Sequence, residues 1–98
     1  MNVFEELYEE MENVNVQFVG MSTETARYDF GIVFTNMFFG KPLVVCMQTG
    51  RSTLLCSDEA NSVEAIQRAF HIDDFGEATR VAKYFQERLP SMPLATQY

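Results

Sequence analysis

The sequence predicts an α+β domain: a four-stranded antiparallel β-meander followed by two helices packed on one sheet face. Three observations carry this expectation. Between Tyr28 and Cys56 the apolar residues recur at a period of two and are broken by turn residues. After Cys56 the period lengthens to three or four, with polar capping residues where helices would start. The length, 98 residues, suits one domain with a modest core and no need of cross-links.

The chain divides into an acidic N-terminal arm (1–13), a single α+β domain (14–89) and a loose tail (90–98). The arm carries Glu5, Glu6, Glu9, Glu10 and Glu12 with no basic residue. Phe4, Leu7, Tyr8 and Met11 recur at i, i+3, i+4 and i+7, and Asn2 stands where it would cap a helix. Two readings stay open for the arm: a short, frayed, solvated helix, or an acidic-aromatic segment that docks on a partner subunit.

Val14–Gly20 sets Val14, Val16 and Phe18 against Asn15, Gln17 and Val19, the pattern of an edge strand. In the next strand Tyr28, Phe30, Ile32 and Phe34 share a face, and Asp29, Gly31, Val33 and Thr35 share the other. Asn36–Pro42 has turn residues but also Met37, Phe38 and Phe39, which a polar loop would not carry. Leu43–Met47 is apolar on both sides, as expected mid-sheet with cover on each face. Thr53–Cys56 completes the meander after a two-residue turn in which Gly50 takes a positive φ.

That turn groups Leu43, Val45, Met47, Leu54 and Cys56 on one face and Val44, Cys46, Thr53 and Leu55 on the other. Cys46 and Cys56 then cannot pair, and both are expected as thiols. The expected core brings Phe30, Ile32, Phe34, Val45, Met47 and Leu54 against the helices. Val19, Val33, Val44, Cys46 and Leu55 would stay on the uncovered face.

Asn61 with Glu64 predicts a capping box for a helix whose inner face is Val63, Ile66 and Phe70. His71-Ile72 breaks it. Asp74 with Glu77 opens a second helix with Phe75, Ala78, Ala82, Phe85 and Leu89 on its stripe, stopped by Pro90.

Composition narrows the function classes. A net charge of −7 disfavours nucleic acid, because phosphate contacts supply most of that affinity. No run of about 18 apolar residues is present, so no membrane span is expected. An acidic start without a basic n-region, and only two cysteines, point to the cytoplasm.

Little in the chain could run a reaction. His71, the single histidine, falls between helices and reads as a helix-end residue. Cys46 and Cys56 have no metal-ligand spacing around them and read as small hydrophobes. No P-loop, GxGxxG or GxSxG occurs. No catalytic residue, metal or cofactor is assigned, and the chain is not expected to be an enzyme. Arg27, Asp29, Lys41 and Arg51 lie at strand ends in an apolar stretch. They read either as ion pairs pinning the hairpins or, with Phe38 and Phe39, as an anion or acidic-peptide site.

The run RYDFGIVFTNMFFGKPLVVCMQTGR, followed by an acidic turn and two helices ending in AKYFQERL, resembles a small family of cytosolic proteins from Gram-positive, Bacillus-type bacteria. Its distinctive parts here are Arg27-Tyr28-Asp29, Phe39-Gly40-Lys41 and Gly50-Arg51, and the likeness covers about residues 14–89. The family is a domain of unknown function, so the resemblance supports the fold and transfers no activity. The expected function is a non-catalytic protein-interaction or regulatory module, homodimeric, with room for a further protein partner. The alternative is a small-molecule or anion-binding protein that uses Arg27, Lys41, Arg51 and the Phe38-Phe39 surface.

Overall fold

The computed structural model describes residues 4–91 and bears out the α+β expectation. Four strands, β1 (Asn15–Ser22), β2 (Arg27–Phe34), β3 (Leu43–Cys46) and β4 (Ser52–Leu54), form one antiparallel sheet in sequence order. Helices α1 (Val63–Phe70) and α2 (Phe75–Arg88) follow. Residues 4–14 adopt no regular structure, so the N-terminal helix does not form there, while the Asn2 cap lies outside the described residues.

The pairing decides which face is which. Phe30 stands opposite Cys46 and Ile32 opposite Val44, and directly opposed residues share a face. Phe30, Ile32, Val44 and Cys46 are all buried, in one cluster with Ile66, Phe70, Ala78, Val81, Ala82 and Phe85 of the helices. Phe30 packs edge-on against Phe70 and Phe85, with ring centroids 5.2 and 5.1 Å apart. Each such side chain taken from water contributes about 1.5–3 kcal/mol before chain entropy is set against it.

This inverts the expectation for β3 and β4. Val44, Cys46 and Leu55 turn inward, whereas Val45 and Leu54 lie on the outer face and Met47 is half exposed beyond the end of β3. Val19 also packs against the core, and Val33 alone of the five residues expected on the uncovered face is found there. β3 is central, but among the described residues the helices cover only its inner side, and Leu43 and Val45 on the other are partly buried.

The β3–β4 connection is a four-residue loop, Met47 to Gly50, closed by Gly50 N–H donating to the Cys46 carbonyl at 2.8 Å. It is not the two-residue turn expected. Both loops are even, so the grouping of residues by face survives. Gly50 does hold a positive φ, 72°, and both cysteines are free and buried.

Helix starts follow local chemistry. Asp74 accepts from the Glu77 amide at 2.8 Å, as the capping pattern requires. At α1 the cap is Ser62, accepting from Ala65 N–H at 3.1 Å, and not Asn61. Glu59–Asn61 is wound into a 3-10 turn, which leaves Ser62 as the first extended residue before the helix. Val81, missing from the expected stripe, is buried, while Phe75 at the first turn is exposed. His71 ends α1 in the left-handed region, φ 59°.

Candidate functional site

The outer face of the sheet has no described helix packed on it. Val16 and Phe18 of β1, Gly31 and Val33 of β2, Leu43 and Val45 of β3 and Leu54 of β4 line it by register. No residue of α1 or α2 belongs to this side. Phe18 is 73% exposed and Met47 51%, whereas Phe30 on the opposite face is fully buried.

Gly31 shapes the middle of the face. A Cβ there would meet Met47 Cε at 3.1 Å and the Phe18 ring at 3.4 Å. Both side chains lean over the glycine and shield its backbone. A side chain at position 31 would push them apart.

The aromatic loop lies at the end of the sheet where β2 leaves and β3 enters. Phe38, Phe39 and Gly40 follow one another at φ 54°, 63° and 77°. For phenylalanine the left-handed region costs roughly 1–2 kcal/mol per residue, so two in succession store strain that the surrounding structure must hold. Phe39 is 72% exposed and Phe38 about half exposed. The sequence marks the loop as unusual through its apolar content, but nothing in it predicts left-handed phenylalanines.

The charged residues singled out from sequence separate into two places. Arg27 donates to Asp29 at 3.1 Å, and Gln48 Nε2 donates to the same carboxylate at 2.7 Å. Arg27 and then Gln48 hold Asp29 below its usual range, and Asp29 in turn raises Arg27. Lys41 pairs instead with Glu59 at 2.7 Å. Burial raises the Glu59 carboxyl, but the hydrogen bonds from Lys41 and the Cys56 amide outweigh it and leave Glu59 lowered. Since Val33 opposes Leu43, Lys41 sits beyond the far end of β2 from Arg27, roughly 26 Å along the strand direction at ~3.3 Å per residue. Arg51 joins the Arg27 end, facing Cys46 across the β3–β4 loop. The three cations and the aromatic pair therefore do not make one patch.

Two clusters were not foreseen. Glu77 accepts from Tyr28 Oη at 2.8 Å, from Thr23 Oγ1 at 3.2 Å and from Thr25 Oγ1, tying the β1–β2 turn to α2. The Thr25 and Tyr28 hydroxyls hold Glu77 low, while burial and then Glu77 push Tyr28 up to about 12. From sequence Glu77 looks only like the partner of a helix cap. Glu12 accepts from Thr35 Oγ1 and from the Asn36 amide, fixing the root of the arm beside the end of β2. Beyond it Phe4, Leu7, Tyr8 and Met11 are all exposed.

Among the described residues no group of three or more His, Cys, Asp or Glu is placed to hold a metal ion. No described helix is long and apolar enough to cross a membrane. His71 lines an open cleft with Gln67, Arg68, Ile72 and Asp73.

A search of curated proteins finds no match. A family model with the description SAV0927-like matches residues 7–87, which take in all four strands, α1 and nearly all of α2. The chain belongs to the SAV0927-like family.

Proposed function

We propose that this protein is a non-catalytic protein-interaction module, homodimeric, and that the outer sheet face receives a further protein partner. The observation that supports this is the contrast in cover. One side of the sheet is closed by two helices, and the other presents Val16, Phe18 and Met47 exposed, beside the partly buried Val33, Leu43, Val45 and Leu54, with no described helix over them. A contiguous apolar face of this kind marks an interaction surface more often than a free surface. The division of Arg27 and Lys41 between opposite ends, each already paired, favours this reading over an anion site. In this reading the module works in the cytosol of a Gram-positive, Bacillus-type cell, where Cys46 and Cys56 remain thiols.

The test compares the wild type with Met47→Lys and Val45→Lys, each first checked for an unchanged melting temperature. Immobilised chains are challenged with extract of the parent cells. A polypeptide held by the wild type and released by both variants supports the docking face. Equal capture by wild type and variants, or no capture by any, contradicts it.

A further inference from the structure

The sheet has two edges, and they differ. β4 is three residues long, Ser52–Leu54, and the chain turns inward at Leu55 immediately after it. β1 is eight residues long and exposed over most of its length. Short strands, charges and prolines are the usual devices that keep an edge from pairing with another chain. β4 uses the first of these. β1 uses none: residues 13–23, NVNVQFVGMST, contain no charged residue and no proline.

The hydrogen-bonding pattern shows which groups that edge offers. Thr23 N–H donates to the Ala26 carbonyl at 2.7 Å and closes the β1–β2 turn. Antiparallel pairs alternate between bonded and non-bonded, so along the register Met21–Tyr28, Val19–Phe30, Gln17–Ile32 and Asn15–Phe34 exchange bonds. The pairs between them turn their groups away from each other. This is seen on the far side of β2, where Asp29 of the Gly20–Asp29 pair accepts from Met47 N–H at 2.8 Å. The amides and carbonyls of Val16, Phe18, Gly20 and Ser22 therefore point outward from β1.

We infer that β1 pairs antiparallel with β1 of a second copy, joining two four-stranded sheets into one of eight strands about a two-fold axis near Phe18 and Val19. This rests on the homodimer reading above and names its contact. A second copy is an occupant that the strand itself fits. Two chains of net charge −7 repel overall, but β1 carries no charge from Asn15 to Ser22, so pairing it with itself sets no like charges face to face within the strand. The strand is also its own complement, since the same outward groups donate and accept in both copies, as a closed two-fold contact requires. Only even registers bond these groups, so both helix layers fall on one side and the two outer faces become continuous.

The test uses the unaltered chain at a concentration where light scattering reports its mass, with residue-resolved amide exchange on the same sample. A dimer with slow exchange at Val16, Phe18, Gly20 and Ser22, as slow as at Gln17 and Val19, is the expected result. Val16→Pro removes one outward amide without breaking a β1–β2 bond, and should lower the mass to that of a single chain while keeping the melting transition of a folded protein. Met47→Lys, on the outer face, should leave the dimer intact. A dimer whose outward β1 amides exchange freely overturns the edge pairing and leaves the homodimer reading standing. A single-chain mass for the wild type overturns both.

Discussion

The two faces of the sheet carry similar side chains and put them to different use. Phe30 and Phe18 are both phenylalanines on adjacent strands, yet one is sealed under Phe70 and Phe85 and the other is 73% exposed. The helix-side face holds the domain together. The outer face has no described helix over it and leaves Val16, Phe18 and Met47 exposed. Apolarity alone would assign both residues to a core, so a period of two marks the apolar side of a strand without telling which side the helices cover.

The sharpest way to break this comparison is to truncate one ring on each face. Phe30→Ala should cost about 3–5 kcal/mol, the usual loss for emptying an aromatic site in a packed core. Phe18→Ala should change the stability of the single folded chain by no more than ~0.5 kcal/mol, as for exposed sites. Denaturant midpoints read both. Similar losses at the two positions would mean that the outer face is covered within one chain.

A smaller effect is expected where the outer face is bounded by the β3–β4 loop. Gly50 has φ 72°, and open space surrounds its missing Cβ, so a substitution there meets backbone strain and no clash. Gly50→Val should cost roughly 1–3 kcal/mol. An unchanged midpoint would show that the loop relaxes freely and does not set the register of β4.

The smallest effects are electrostatic and sharpen the link between sheet and helix. Tyr28 is pushed up from 10.0 to about 12, first by burial and then by Glu77. Its neutral form is favoured in the folded state, so its contribution is intact below pH 10 and is lost as pH rises toward 12. Following phenolate absorbance should reveal a late-titrating component that Tyr28→Phe removes; identical titration curves for wild type and Tyr28→Phe above pH 10 would contradict the part-buried contact with Glu77. Glu12, Asp29, Glu59 and Glu77 are all lowered, so their contribution is present above the ordinary carboxylate range and declines as pH falls through it.

Much of this architecture was legible because local chemistry decides it. The alternation of Tyr28, Phe30, Ile32 and Phe34, the stripe of Ile66, Phe70, Ala78, Ala82 and Phe85, the Asp74 cap and the positive φ of Gly50 all follow from a residue and its near neighbours. The inward face of β3 does not. A period of two states which residues share a face, but the side turned to the helices depends on how the chain crosses from Phe34 to Leu43. That crossing runs through three successive positive φ values, two of them at phenylalanine, for which no local rule exists. The charged residues show the same limit. Arg27 and Asp29, two apart on one strand, pair as their spacing allows, whereas Lys41 finds Glu59 across the fold. Glu77 meets Tyr28 only because α2 lies across the sheet, a contact between residues 49 apart in the chain.

The most direct test of the account is the solution mass of the wild-type chain, followed by light scattering as the sample is diluted through the micromolar range. The account predicts twice the chain mass of 11.3 kDa at the upper end, falling toward 11.3 kDa only on dilution. A soluble species of 11.3 kDa at every concentration would contradict it, because the β1 edge would then remain open without self-association.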